Sequence, residues 1–304
     1  MRIAVLGPGG VGGLLAGALE RAGSEVIVIA QTSTAAVISE HGLRVDSVTL
    51  GRFVAHPRAV ERLEEPVDVL LVATKAAGLR PALERIAVDP KLVLPLLNGL
   101  DHIAVLRERF APGSVLAGSI RVEADRPEAG VVVHTSPFLL VNMASADPAA
   151  GGEVRSLAQL LSDAGVPSKV LASEAQVMWS KLVRLNALAC MTSAYDKLLG
   201  EIRSTPELRA DLVRAIEEAC AVARAEGADD VDPVTALAEL DRAHATLGSS
   251  MQRDIAAGRT PELDAIPGSV LRAAARHGLQ CPTIERLVAM IAERAGIAPP
   301  LLAR

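Results

Sequence analysis

Lys181 stands in the apolar run WSKLVRLNALAC at 179–190, where packing alone prefers Leu and Ala. A Lys is rarely buried without a partner, so one reading is a side chain that snorkels to water. The other is an ammonium facing a reaction site, able to protonate a developing alkoxide. Farther on, LGSSMQRDIAAGRTPELDAIPG places Ser249, Ser250, Asp254, Glu262 and Asp264 around a helix end. On helix grounds alone, Glu262 after Thr260-Pro261 is a favourable first-turn acid.

A second group lies in the first half. Gly7-x-Gly9-x-x-Gly12 sits between an apolar strand and an apolar helix, the context in which such glycines let a pyrophosphate approach a helix N-terminus. The second strand ends in VIVIAQTST, where an acid would read the ribose of NAD and an Arg the phosphate of NADP. Gln31 and the three hydroxyl residues after it are neutral donors, which favours NADP(H). Lys75 and Asn98-Gly99 each follow a strand at its carboxyl end, where open α/β sheets bind ligands; a solvated Lys and an ordinary turn are the alternatives.

These residues need a scaffold. Short apolar runs at 2–6, 25–30, 68–73, 92–97, 115–119, 131–134, 138–142 and 169–171 read as strands. The early ones alternate with amphipathic segments at 10–22, 33–41, 76–86 and 101–109, the rhythm of a parallel sheet. The later strands follow each other closely and are expected to extend one edge of that sheet. From 173 on, helical periodicity covers 173–199, 206–227, 233–258, 263–278 and 282–295. The expected organisation is a dinucleotide-binding α/β domain at 1–170 and an all-helical substrate and dimerisation domain at 171–304.

Half of the 304 residues are apolar and the net charge is −5 without a Lys/Arg cluster, so nucleic acid is not the expected partner. Three widely spaced cysteines form neither a disulfide ladder nor a zinc pattern and read as core thiols of a reducing compartment. No run reaches the length of a membrane span. A soluble cytoplasmic protein without a metal is expected, and its long apolar helices are consistent with a homodimer.

Taken in order, Gly7-x-Gly9-x-x-Gly12, TKA with Lys75, NG with Asn98, WSKL with Lys181, GEI at 200–202, SSMQRDI with Ser250 and PELDAIPG with Glu262 resemble the ketopantoate reductase family over nearly the whole chain. The resemblance implies a Rossmann-type doubly wound domain plus a helical domain, an NADPH cofactor, and hydride transfer to the carbonyl of a small 2-oxo acid. It makes Lys181 the general acid and Glu262 its partner. Ser250 would bind substrate, Asn98 would position nicotinamide or substrate, and Lys75 would add charge beside the cofactor.

Two departures stand out. The biosynthetic enzymes carry Asn four and eight residues after the Lys, where this chain has Leu185 and Ala189. Asn186 is five residues on, about 140° around an α-helix. Either a one-residue π-bulge turns Asn186 back toward the site, or Leu185 and Ala189 line an apolar pocket; the register to Gly200 favours the second. Gln31 also replaces the usual Arg. The competing readings are a dinucleotide sensor without turnover and a 3-hydroxy-acid or opine-type dehydrogenase, whose His-Asp or Ser-His-Asn arrangement is missing.

Overall fold

Arg2–Leu6 forms β1, and from Ile3 to Leu6 its side chains are at most 1% exposed. A strand buried along its whole length must be covered on both faces, as in a parallel sheet flanked by helices. The glycine turn then leads into α1 (Gly10–Arg21), followed by β2 (Glu25–Ile29) and α2 (Thr32–His41). Next come β3 (Leu43–Ser47), β4 (Gly51–Ala55), β5 (Arg58–Val60), β6 (Val69–Val72), α3 (Leu79–Leu83) and β7 (Leu92–Pro95).

The strand order β5-β2-β1-β6-β7 is parallel throughout and reverses direction of travel at β1. Its core alternates by side chain. Ile3, Val5, Val28 and Leu71 face one apolar layer, while Ala4, Leu6, Ile27 and Leu70 face the other.

After α4 (His102–Arg109), the chain forms β8 (Ala117–Arg121), β9 (Ala124–Asp125), β10 (Val131–His134), β11 (Leu140–Ala144), α5 (Gly151–Asp163) and β12 (Ser168–Val170). These strands do not extend the parallel sheet as the sequence suggested. They build a four-stranded sheet, β4-β3-β10-β9, and a three-stranded one, β12-β11-β8. β3 and β4 were not expected, although the alternating burial of LRVDS is a strand pattern. α5 was missed too, its apolar side being only Val154, Leu157, Ala158 and Leu161.

The helical part contains α6 (Glu174–Tyr195), α7 (Leu199–Ser204), α8 (Pro206–Ala225), α9 (Pro233–Arg242), α10 (Ser250–Ala256), α11 (Ser269–Arg276) and α12 (Pro282–Ala295). The expected single helix at 233–258 breaks between α9 and α10, where Ser249 caps α10 by accepting from Gln252 N at 3.0 Å. Asp264–Gly268 is a π-helical turn with Pro267 inside it.

The computed structural model describes Met1–Leu302. Met1–Leu97 and His102–Val177 make one unit, and Asn98–Asp101 joins the residues from Met178 on in the other. All three cysteines are buried, and burial pushes the Cys220 and Cys281 thiols up to about 11 and about 12. No described helix is long and apolar enough to cross a membrane.

Candidate active site

Gly7 opens the turn after β1 with φ +89°, a conformation available to Gly without strain. A Cβ at Gly12 would lie 2.2 Å from Gly7 O, so that glycine permits the close packing of α1 on the turn. A Cβ at Gly9 would meet nothing within 4 Å. Gly9 is also the N-cap of α1 and supplies no side-chain cap, so the N–H groups of the first turn remain available to an anion. These features fit a dinucleotide pyrophosphate.

A Cβ at Gly7 would lie 2.9 Å from Thr74 Cγ2, which brings the turns after β1 and β6 together. This is where the strand order reverses, the switch point at which open sheets bind ligands. Lys75 follows Thr74 and precedes a 3₁₀ turn at Ala76–Gly78. Gln31 is the N-cap of α2, and Thr32 Oγ1 donates to Glu61 Oε2 at 2.6 Å.

In the other unit the structure brings three of the expected residues together. Lys181 Nζ donates to Asn98 Oδ1 at 2.8 Å, and Asn98 Nδ2 donates to Glu262 Oε2 at 3.0 Å. An ammonium can only donate and an ionised carboxylate only accept, so this arrangement fixes which way the amide points. Asn98 thus relays the carboxylate's negative end to the ammonium, and all three side chains are partly open to solvent.

Local structure explains the placement. Gly99 has φ +85°, and a Cβ there would sit 1.8 Å from Ala265 O. The Asn98-Gly99 turn therefore packs directly on the π turn that follows Glu262. Inside α11, Arg272 is 4% exposed and reaches both segments, bonding Asp101 Oδ2 at 2.5 Å and Asp264 Oδ1 at 2.7 Å. Burial disfavours its charge, but the hydrogen bonds to the two carboxylates more than offset this and hold its pKa above the ordinary value.

α6 is α-helical along its whole length, so no bulge returns Asn186 to the side of Lys181. Asn186 is fully buried; its Oδ1 accepts from Cys190 Sγ at 3.6 Å and its Nδ2 has no partner. Leu185, four residues from Lys181, is partly exposed on the same stripe, as is Leu188, whereas Ala189 is 1% exposed. Ser250, at the first position of α10, is exposed. Arg184, on the same helix, pairs with Glu239.

Asp101 and Arg272 were not singled out from the sequence. The signal was available in SVLRAAAR, where Arg272 stands among small and apolar residues, much as Lys181 does in its own helix, while the second Arg, Arg276, lies at the helix end. Among the described residues no group of three or more His, Cys, Asp or Glu is arranged to hold a metal.

Two family models match, "Ketopantoate reductase PanE/ApbA" over residues 3–145 and "Ketopantoate reductase PanE/ApbA C terminal" over 175–295. The chain is 32% identical to a 2-dehydropantoate 2-reductase of Mycobacterium tuberculosis over 300 residues, 95% of this chain and 96% of the relative. A crystal structure of a PanE/ApbA family ketopantoate reductase from Ralstonia eutropha superposes with TM-score 0.84 at 25% identity, covering 97% and 99% of the two chains. The ternary structure of D-mandelate dehydrogenase with NADH and anilino(oxo)acetate has the same fold, with TM-score 0.87 at 21% identity over 97% and 98%. The glycine turn at the switch point, the Lys181–Asn98–Glu262 group and these matches over both halves agree, and the chain belongs to the ketopantoate reductase family, a family of oxidoreductases acting on CH–OH groups.

Proposed function

We propose that the protein is a nicotinamide-dependent reductase of small 2-oxo acids, with a domain at 1–170 serving the cofactor and the helical domain at 171–304 the substrate. The observation that carries this is the Lys181–Asn98–Glu262 chain of hydrogen bonds. Reduction of a carbonyl places negative charge on its oxygen, and the ammonium can neutralise that charge by giving up a proton. A dinucleotide-binding sensor has no use for such a donor.

When bound, the dinucleotide would supply the hydride. Gly7, Gly9 and Gly12 would cradle its pyrophosphate, with Gln31 near the ribose and Lys75 adding positive charge. Lys181 would hold the substrate's carbonyl oxygen and protonate it as the alcohol forms. Asn98 would keep the ammonium aimed, and Glu262 would stabilise its positive charge through the amide. Ser250 would donate to the substrate carboxylate or a hydroxyl.

NADP(H) is the proposed cofactor. No acid stands in Gln31–Thr34, and Arg85 Nη1 reaches the carbonyl of Ala30 at 3.2 Å, bringing a cation to the end of β2. Glu61, bonded to Thr32, opposes this preference. The substrate is proposed to be ketopantoate or a more apolar relative. Leu185 supports the apolar alternative, because it stands beside Lys181 where the biosynthetic enzymes have an amide. D-mandelate dehydrogenase, solved with anilino(oxo)acetate, is compatible with such a pocket but shares only the fold.

The test is NADPH oxidation with a panel of 2-oxo acids. Wild type should turn over at least one, and Lys181→Ala should lower kcat by about 10²- to 10⁴-fold. Tight dinucleotide binding without turnover of any carbonyl would replace this reading with the sensor. NADH binding at least as tightly as NADPH would remove the cofactor assignment.

A further inference from the structure

Two short segments carry the partners of Lys181: the turn holding Asn98 and the chain around Glu262. Each segment also supplies an acid to a second contact, Asp101 from the first and Asp264 from the other, and Arg272 bonds both. Its Nη2 donates to Asp101 Oδ2 at 2.5 Å and to Asp264 O at 2.8 Å. Its Nη1 donates to Asp264 Oδ1 at 2.7 Å and to Leu301 O at 3.0 Å. The segments are therefore joined twice, by the Asn98–Glu262 hydrogen bond at one end and by Asp101–Arg272–Asp264 at the other. Beside the two bridges, Gly99 is pressed against Ala265.

We propose that Arg272 is a positioning residue for the reduction, clamping the Asn98 turn to the Glu262 segment so that Asn98 stays between the ammonium of Lys181 and the carboxylate of Glu262. The inference rests on the proposed function, since it assigns a role in the same reaction. The hydrogen bonds of Arg272 go to Asp101, Asp264 and Leu301, so it acts on the three side chains it serves through the two segments that carry them.

The chemistry requires an arginine. Its planar fork offers donors in several fixed directions and satisfies two carboxylates and two carbonyls at once, whereas an ammonium is a single compact charge. A buried ion pair is weak evidence for stability, because desolvation offsets much of the attraction. Its value here is geometric: displacement of a catalytic group by about 1 Å can cost about 100-fold in rate.

The test compares Arg272→Lys and Asp101→Asn with wild type in the full-length protein. Each is assayed with NADPH and whichever of ketopantoate, 2-oxoisovalerate or phenylglyoxylate wild type reduces fastest. We expect kcat to fall about 10- to 100-fold, a KM for NADPH within about twofold of wild type, and a larger solvent deuterium isotope effect as proton transfer becomes slower. In a Lys181→Ala background, each substitution should add less than about a twofold further loss, because the clamp then has no donor to aim.

Unchanged kcat with a lowered melting temperature would reduce Arg272 to a structural staple. Full multiplication of the losses in the Lys181→Ala background would also overturn the proposal. Should Arg272→Lys not fold, Asp101→Asn carries the same comparison, because that carboxylate is 30% exposed. A wild type inactive toward every 2-oxo acid overturns the proposed function and this inference together, whereas an active wild type with unaffected variants overturns only the inference.

Discussion

The five residues from Lys181 to Leu185 hold most of what separates this chain from its biosynthetic relatives. Leu185 offers no hydrogen bond, so a hydroxylated 2-oxo acid bound beside it would leave a polar group unpaired, which costs more than a missing apolar contact. Leu185→Asn is therefore expected to raise kcat/KM for ketopantoate and lower it for aliphatic or aromatic 2-oxo acids, changing their ratio by about tenfold or more. An unchanged ratio would mean that this position does not face the substrate. Lys181, Asn98 and Glu262 could be named from their types and order in the sequence, but their hydrogen-bonded chain could not. It depends on side-chain directions set by segments 83 and 164 residues apart from Asn98.

Among the elements, the Asn98-Gly99 turn and the π turn after Glu262 are the most sensitive to change. Gly99→Ala would combine a positive φ with a Cβ driven into Ala265 O, and the expected cost is about 2–4 kcal/mol of stability. Chemical denaturation of the variant checks this, and a loss below the error of the fit would contradict the packing described. The sheet β4-β3-β10-β9 makes a separate prediction. His134 in β10 is 1% exposed, with Ser47 Oγ 2.7 Å from Nδ1 and Ser136 Oγ 3.1 Å from Nε2. Burial holds its pKa below the ordinary 6.5, outweighing a backbone hydrogen bond at Phe138 and the charge of Glu123.

The native state thus favours the neutral ring, while the unfolded chain takes up its proton at the ordinary pKa. The stability from this group is present above 6.5 and declines as pH falls from there toward the folded value. Unfolding midpoints measured between about pH 7.5 and about 5.5 should fall, and His134→Gln should reduce that slope. This sheet was also the least legible part of the fold. The sequence places strand residues at 131–134 correctly, but a pattern of alternation does not say which distant strand will lie alongside.

At the scale of the whole molecule, the parallel sheet and the helical remainder follow from periodicity, because buried strands and amphipathic helices leave different spacings of apolar residues. The breaks were harder to see. Helix 233–258 divides at a Ser cap, and the π turn contains a Pro that reads as a helix end. Cofactor binding should register in global stability: NADPH at about 100 times its Kd should add about 2.7 kcal/mol. Gly9→Ala should weaken that gain while leaving the unliganded melting temperature nearly unchanged, because a Cβ there would meet no protein atom within 4 Å. An undiminished NADPH-dependent shift would show that the phosphates bind elsewhere.

The assignment of Asn98–Asp101 to the second unit has a consequence for cutting the chain. A C-terminal fragment beginning at Met178 would contain Lys181, Glu262 and Arg272 but neither Asn98 nor Asp101. The ammonium would lose its amide, and a guanidinium that is 4% exposed would keep one carboxylate of two. Supplying the first 177 residues as a separate polypeptide should restore what the fragment lacks. Complementation of two inactive halves, rather than independent activity of either, is the behaviour this interleaving dictates.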